Sequence, residues 1–431
     1  VPQGESEVSL SDLRAHLRTQ LPDYMVPSQF VPLTAVPLNP NGKVDRFALP
    51  VPEEGHVVLN DAFVAPRTER EQQLAAIWIE VLGLAQVGID DNFFDVGGES
   101  FKAIRVVRKI GPDASVISLF KYPTIRELAD HLDSAAPKRD GLLIELTKPI
   151  ATAERQLSLL CVPYGGGSAI TFQPLADALP TGVALYAVEL PGHDFSQRAE
   201  ALMPLPDLAQ QCVAEIEAHI TGPIALYGHC VGSAPVLEIA RLLEANGRSV
   251  PGVFIGGSLP SAQMPGALFR WWYRLFPSDR WQSNREIYDS LRALGGFTDV
   301  IDPDEQEFLL RSLRHDANQA EAFFTRAFHQ PRAKLAAPIT CIVGEMDRAT
   351  DLYEERYREW AQFGDRVSLA VLPKAGHYFL KHQSATVAKI IEEGVASLQM
   401  ATIPEMSASS EMAVSANGRG HNNGHYSRDV Y

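Results

Sequence analysis

One stretch near the middle of the chain limits the possible fold more than any other. Residues Pro223–Tyr227 form a short apolar run that is typical of a buried parallel strand. A helix is predicted next by apolar residues at helical spacing with a glycine at the C-cap position: Val236, Ile239, Ala240, Leu243 and Gly247. Between strand and helix lies Gly228-His-Cys-Val-Gly232, a nucleophile-elbow pattern with cysteine where serine is usual. Such a turn would place the sulfur of Cys230 at the N-terminus of the helix, where the helix dipole favours the thiolate. The alternative interpretation is a buried cysteine with no catalytic role.

The region around this stretch alternates between strand-like and helix-like segments. The strand-like runs are 157–163, 183–190, 223–227, 250–256, 338–343 and 366–372. Helical stripes separate most of them, one of which consists of Leu208, Cys212, Ile216 and Ile220. Alternation of this kind indicates a mostly parallel sheet covered on both faces. Together with the elbow, it predicts an α/β-hydrolase fold over residues 142–400.

Composition limits the number of domains, the kinds of partner and the cellular location that we expect for this chain. The chain has 431 residues, enough for about two to four domains. Its net charge of −15 argues against nucleic acid or an anionic membrane as a partner. We find no apolar run near the roughly 18 residues that a membrane span needs. The four cysteines are far apart and suggest no disulfide framework, so a reducing, cytoplasmic location is expected. Residue 1 is Val, so the chain is expected to be a piece of something longer.

A cysteine nucleophile needs a base, and the base needs a group that fixes its tautomer. In the α/β-hydrolase order of nucleophile, acid and histidine, the base candidate is His377, in a loop after the last strand-like run. His382 is the weaker alternative. The acid candidate is Asp347, at the end of the preceding strand-like run, with Glu345 and Asp351 as rivals. A turn-forming aspartate is the alternative interpretation of Asp347.

A glycine run follows the first strong strand, in Val162-Pro-Tyr-Gly-Gly-Gly-Ser168. Glycines there allow backbone N–H groups to point at a developing oxyanion. We predict that the N–H groups of Gly165 and Val231 form the oxyanion hole. A phosphate cradle is the alternative, but the lysine of a P-loop is missing. No metal site is expected.

The N-terminal region carries a different set of motifs. Two segments, 21–27 (L-P-D-Y-M-V-P) and 39–46 (N-P-N-G-K-V-D-R), resemble the C-terminal tail of an adenylation domain of a nonribosomal peptide synthetase. Within the second segment, Asn41-Gly42 is a hairpin-turn signal. The resemblance implies a small α+β fragment over residues 1–52, in which Lys43 contacts the acyl-adenylate of a complete adenylation domain. A solvated lysine beside a turn is the alternative. The fragment alone cannot activate an amino acid.

A compact helical unit is predicted over residues 61–134. It contains two capping boxes, Thr68-x-x-Glu71 and Thr124-x-x-Glu127. Between them, Asp91-Asn-Phe-Phe-Asp-Val-Gly-Gly-Glu-Ser100 resembles the motif of peptidyl carrier proteins. That resemblance implies a four-helix bundle in which Ser100 carries covalent 4'-phosphopantetheine, added by a phosphopantetheinyl transferase. An ordinary N-cap serine is the alternative.

Several motifs of the third region resemble the thioesterases of nonribosomal peptide and polyketide synthesis. They are 163–169 (P-Y-G-G-G-S-A), 189–193 (E-L-P-G-H), 228–232 (G-H-C-V-G), 344–347 (G-E-M-D) and 376–377 (G-H). Integrated members commonly carry the acid after the strand that follows the elbow helix, where this chain has Gly256-Gly257-Ser258. Asp347 and the stretch 314–324 resemble the discrete, editing-type members instead. The family's helical lid falls at about 259–330, where Phe269, Trp271, Trp272, Tyr273 and Phe276 cluster.

The resemblances together imply the C-terminal part of a nonribosomal peptide synthetase, with a linker at 135–141 and a disordered tail at 401–431. A peptide on the arm of Ser100 would pass to Cys230 and leave by intramolecular cyclisation, with a strained β-lactone or β-lactam as candidate rings. Expected partners are upstream condensation and adenylation domains and the peptidyl substrate. Hydrolytic release or editing of stalled chains is one alternative, and a carrier module with an inactive hydrolase is another.

Overall fold

The structure is a computed structural model. It describes residues 63–98, 100–111, 113–134, 141–148, 150–151, 153–194, 198–261, 283–294, 303–330 and 332–401, with scattered positions between 13 and 49. Several predictions lie outside the described residues: Lys43, the aromatic cluster at 269–276, most of the 135–141 linker and the tail from 402. Within the described chain, no helix has the length and apolar character needed to cross a membrane.

The hairpin predicted at Asn41-Gly42 is flanked by paired residues. Leu38 and Val44 form an antiparallel bridge, and the N–H of Asp45 donates to the carbonyl of Pro37 at 2.9 Å. The described residues on either side of the predicted turn are therefore paired, whereas Asn41 and Gly42 themselves lie outside the described residues.

Four helices occupy the described part of the carrier region: α1 (Glu69–Leu82), α2 (Ser100–Ile110), α3 (Val116–Lys121) and α4 (Ile125–Asp133). Both predicted capping boxes are formed, at Thr68–Glu71 and at Thr124–Glu127. Each satisfies helix N–H groups that have no partner within the helix. The shared core contains Trp78, Phe93, Leu119 and Ile125, all of them fully buried.

Residues beyond 141 build a seven-stranded sheet in the order β1-β3-β2-β4-β5-β6-β7. The strands are β1 (Leu143–Glu145), β2 (Leu157–Val162), β3 (Val183–Val188), β4 (Ile224–His229), β5 (Val253–Gly256), β6 (Ile339–Gly344) and β7 (Val367–Leu372). All six predicted strands are confirmed, and they pair in parallel. The short strand β1 was not predicted. It pairs antiparallel with β3 at the edge of the sheet, and its three residues are too few to show a period.

Helices cover both faces of this sheet. Among the described residues of this region, the helices are α5 (Gln173–Ala178), α6 (Leu205–His219), α7 (Ser233–Ala245), α8 (Asn284–Ala293), α9 (Pro303–His329), α10 (Tyr353–Arg356) and α11 (Ser384–Ala401). Successive residues of β2 show the two layers. Leu160 packs in a cluster with residues of α6 and α7, whereas Leu159 packs in a cluster with residues of α5 and α11. The predicted α/β-hydrolase architecture is thus present.

The segment predicted as a helical lid, 259–330, contributes α8 and α9. The C-terminal half of α9 belongs to the core, because Phe323 and Phe324 are buried and Phe324 packs edge-on against Trp360. Its N-terminal half carries Asp316, whose carboxylate reaches the glycine loop after β2. The helix therefore connects the core to the edge of the sheet where the parallel strands end.

Candidate active site

Cys230 lies at a strained turn between β4 and α7. Its φ of +54° falls in the left-handed region that a non-glycine residue rarely adopts. A Cβ on Gly228 would lie 2.5 Å from the carbonyl oxygen of Gly232, and one on Gly232 would lie 2.5 Å from that of Pro163. Both obstacles are backbone atoms that cannot move aside. The close approach of β4, the turn and the end of β2 therefore requires the two glycines, as predicted.

The structure brings Cys230, His377 and Asp347 together from three separate loops. His377 Nδ1 lies 2.9 Å from Asp347 Oδ2, and the side chains of Asp347 and Cys230 both act on His377 and raise its pKa. The other Asp347 oxygen, Oδ1, accepts the N–H of Ala349 at 2.9 Å. His377 and Asp347 are both buried. The geometry is that of a nucleophile, a base and an orienting carboxylate.

The charge state of His377 is set by its two partners. Burial opposes the charged imidazolium, but the hydrogen bonds and charges of Asp347 and Cys230 outweigh it and raise the pKa of His377 to about 10. At neutral pH the imidazolium therefore sits between a carboxylate and the cysteine sulfur. The charged ring so placed can stabilise negative charge that develops on the sulfur of Cys230.

The alternative acids and base occupy other environments. Glu345 is exposed, and its carboxylate accepts the backbone N–H of Lys374 at 2.8 Å. Asp351 and His382 are also exposed. In the loop after β5, where no acid was found in the sequence, a Cβ on Gly257 would lie 3.3 Å from the ring of His377, which is a tight contact.

His229 is a site residue for which the sequence analysis gave no role. Its Nε2 lies 3.0 Å from the carbonyl oxygen of His377, and its Nδ1 lies 3.0 Å from the hydroxyl of Tyr227. A carbonyl only accepts, so Nε2 carries the proton and Nδ1 accepts the Tyr227 O–H. Full burial, together with the nearby charge of His377, lowers the pKa of His229 to about 3. The neutral ring thus ties the elbow to the backbone of the His377 loop.

The glycine loop after β2 lies beside the elbow. The N–H of Gly166 donates to Asp316 Oδ2 at 2.9 Å, and the N–H of Gly167 donates to the carbonyl of Tyr164 at 2.8 Å. A Cβ on Gly165 would lie 3.2 Å from Val231 Cγ2, so the two residues predicted to form the oxyanion hole are neighbours.

Ser100 is the first residue of α2, and the turn before it depends on glycine. Gly97 has a φ of +95°, and a Cβ on Gly98 would collide with the ring and backbone of Phe93. A serine at the start of a helix, after a turn with little side-chain bulk, fits the attachment point of a prosthetic arm.

The carrier region also contacts the α/β region. Arg108 of α2 pairs with the buried carboxylate of Glu305 on α9 at 3.3 Å. On α3, Ile117 packs against the apolar cluster on the α5 and α11 face of the sheet. The same helix lies against the turn Ala169–Phe172, which follows the glycine loop. Arg108 and α3 thus hold the carrier region against α9 and against the turn that follows the glycine loop.

Two family models match this chain. The model described as "Thioesterase domain" matches residues 158–394, and the one described as "Phosphopantetheine attachment site" matches residues 72–132. The second match indicates a covalently attached 4'-phosphopantetheine.

The chain is similar to segments of much longer curated proteins. It is 37% identical over 254 residues to tyrocidine synthase 3 of Brevibacillus parabrevis, a match that covers 58% of this chain and 4% of that protein. It is 35% identical over 251 residues to surfactin synthase subunit 3 of Bacillus subtilis (strain 168), covering 57% of this chain and 18% of that subunit. Among solved structures, a variant of the type II thioesterase YbtT from the yersiniabactin pathway matches at 21% identity with a TM-score of 0.50. That match covers 60% of this chain and 99% of the other, and it shows the fold alone.

Proposed function

Because this chain belongs to the thioesterase domain family and carries a phosphopantetheine attachment domain, we propose that it releases acyl chains through a covalent intermediate on Cys230. The observation that carries the proposal is the grouping of Cys230, at a strained turn, with the hydrogen-bonded pair His377–Asp347. Such strain persists only where surrounding structure enforces it, and here two glycines and a buried histidine do so.

The likeness to tyrocidine and surfactin synthases supports a peptidyl substrate and a place among the modules of a nonribosomal peptide synthetase. Upstream condensation and adenylation domains would supply the peptide, and a phosphopantetheinyl transferase would activate the carrier. We assign Ser100 as the attachment residue. When attached, the arm supplies the thiol that holds the peptide as a thioester.

In the first half-reaction, Cys230 Sγ attacks the thioester carbonyl. A new C–S bond forms to Cys230 and the original C–S bond breaks, while the imidazolium of His377 gives its proton to the departing thiolate. The N–H groups of Gly165 and Val231 stabilise the oxyanion of the tetrahedral intermediate. One thioester replaces another, so this step is close to thermoneutral.

In the second half-reaction, a nucleophile attacks the acyl group on Cys230. The acylated sulfur carries no charge, so the interactions with Cys230 that raise the pKa of His377 are lost and those with Asp347 remain. His377 can then accept the proton of the incoming nucleophile, and Asp347 keeps its Nδ1 protonated so that Nε2 is the free base.

Cysteine in place of serine favours a demanding release step. A thiolate, with a free pKa of about 8.5, is a better leaving group than an alkoxide, so an acyl-cysteine is more activated than an acyl-serine. That activation matters when the attacking group is weak or the ring that forms is strained. We therefore propose that a nucleophile within the peptide attacks, which closes a ring such as a β-lactone or β-lactam.

The test compares wild type with Cys230→Ser, using the peptide loaded on the carrier and chromatography of the released products. The serine variant should still accept the peptide as an oxoester but should lose cyclic product preferentially, stalling or leaking linear acid. Equal cyclic yield and rate from both proteins would contradict the role of the thioester in ring closure. Linear acid as the main wild-type product would favour hydrolytic release or editing.

An inactive hydrolase is tested separately with iodoacetamide. The three other cysteines, Cys161, Cys212 and Cys341, are buried, and burial raises the pKa of each thiol. The native protein should therefore be labelled once, at Cys230, whereas an inactive site would show no selective reaction.

A further inference from the structure

Asp316 and His193 form a second buried carboxylate–imidazole pair that the reaction described above does not use. His193 Nε2 lies 2.8 Å from Asp316 Oδ2, and the same oxygen accepts the N–H of Gly166 at 2.9 Å. The three residues come from the loop after β3, from α9 and from the glycine loop after β2. One carboxylate oxygen thus joins three segments that are distant in sequence.

Both ring nitrogens of His193 face acceptors. Nδ1 lies 3.0 Å from the carbonyl oxygen of Pro191, and Nε2 faces the carboxylate of Asp316. A neutral imidazole can donate from only one nitrogen, so the imidazolium alone satisfies both contacts. Burial works against that charge, but Asp316 outweighs it and raises the pKa of His193. The contacts of both ring nitrogens thus favour the imidazolium form of His193, and both side chains are largely buried.

We propose that Asp316 and His193 are positioning residues that fix the glycine loop so that it can stabilise the oxyanion formed when Cys230 is acylated. Gly166, which donates to Asp316, is bonded directly to Gly165, and Gly165 lies against Val231 of the elbow. Gly166 has a φ of +69°, and the Asp316 bond holds its peptide group in one orientation. A charge-assisted bond is stronger than a neutral one, which suits a loop that must stay ordered during the reaction. The inference rests on the proposed function, since it requires that Cys230 accepts acyl groups.

Two reactions of the same thiol separate this role from a general structural one. Acylation of Cys230 by the N-acetylcysteamine thioester of a short acyl chain passes through an oxyanion. Alkylation by iodoacetamide forms an S–C bond and releases iodide without any oxyanion. Loss of loop positioning should slow only the first reaction, whereas general damage to the site should slow both.

The experiment measures both rates by intact-protein mass spectrometry for wild type, Asp316→Ala and Asp316→Asn. Glu307→Gln is the matched control, because Glu307 is an exposed carboxylate on the same helix. Asp316→Ala should slow acylation on the order of 10²-fold, the usual loss for an oxyanion donor, and leave alkylation at the wild-type rate. Asp316→Asn keeps an oxygen that can accept from Gly166, so its acylation should fall less.

The inference is wrong if Asp316→Ala is acylated as fast as the control Glu307→Gln. It is also wrong if Asp316→Ala loses acylation and alkylation to the same extent. If Asp316→Ala does not fold, the acylation and alkylation rates of His193→Ala are compared in the same way. This variant removes one of the hydrogen-bonding partners of the Asp316 carboxylate. Slower acylation with unchanged alkylation supports the role, and unchanged acylation overturns it. A wild-type protein that is alkylated but never acylated would overturn the proposed function itself. Normal acylation in every variant would remove only the positioning role.

Discussion

Replacing Asp347 by asparagine should do more than remove a charge, because the structure dictates how the new side chain must sit. The two oxygens of Asp347 have different partners, with Oδ1 accepting the N–H of Ala349 and Oδ2 facing His377 Nδ1. Asparagine has one oxygen, which the Ala349 N–H retains since that group can only donate. The amide NH₂ then faces His377 Nδ1, which must become an acceptor. The ring proton therefore moves to Nε2, the nitrogen that should receive protons.

The size of the loss follows from the charge state of His377. Raising its pKa from 6.5 to about 10 corresponds to about 5 kcal/mol in favour of the imidazolium. The carboxylate of Asp347 contributes to that stabilisation, so its loss should slow acylation on the order of 10²-fold, the size usual for removing one electrostatic partner from a reacting group. Release from Cys230 depends on the correct tautomer and should fall further, toward the roughly 10⁴-fold known for triads with this substitution.

The assay is single-turnover mass spectrometry with a thioester substrate, which follows acylation and release separately. Asp347→Asn should acylate slowly and then accumulate acyl-enzyme, because release is slowed more than acylation. Glu345→Gln is the matched control, since Glu345 is an exposed carboxylate in the same loop that contacts Lys374 rather than His377. Its rates should match those of the wild type.

Near-normal turnover by Asp347→Asn together with an inactive Glu345→Gln would show that the wrong carboxylate was chosen. Equal slowing of both half-reactions by Asp347→Asn would refute the tautomer argument, which requires the larger loss at release.

Three further predictions concern the carrier, its docking and the pH dependence of stability. Incubation with coenzyme A and a phosphopantetheinyl transferase should add one arm to the wild type and none to Ser100→Ala; a mass gain in the variant would refute the assignment. Arg108→Glu should slow transfer from the carrier to Cys230 by roughly tenfold, because it places two negative charges together, and the added change Glu305→Arg should restore the rate. An unaltered rate in the single variant would exclude the contact as a docking determinant. His229, whose pKa lies below that of the unfolded chain, contributes stability that is complete above pH 6.5 and lost as the pH falls toward 3. Between pH 6.5 and 5 this loss is about 2 kcal/mol of unfolding free energy, and urea denaturation of His229→Gln should lack it.

The sequence alone was sufficient for the features that depend on local patterns. Capping boxes at Thr68 and Thr124, the six parallel strands and the elbow glycines each follow from residues a few positions apart. Glycines at 228 and 232 are recognisable because no other residue fits a turn whose backbone atoms approach so closely. The three-residue strand β1 was missed because so short a segment has no measurable period.

The sequence favoured Asp347 by its position and by resemblance, but it left Glu345 and Asp351 as rivals. All three follow the same strand, and only the tertiary structure shows which of them reaches His377. The fold turns Asp347 inward to His377 and leaves the other two exposed. The tertiary structure alone also shows that the backbone of Gly257, after β5, packs close to the His377 ring.

The contacts of His229 and of the Asp316–His193 pair also became visible only in the tertiary structure. Each contact joins residues from separate loops or helices, and each depends on an atom-to-atom distance near 3 Å. Periodicity reports which face of an element is buried, but it carries no information about which distant polar group will meet which. The sequence therefore determined the strands, the turns and the candidate reactive residues. The packing of the chain decided which polar groups became partners, because hydrogen bonds form only between groups that the completed fold brings into contact.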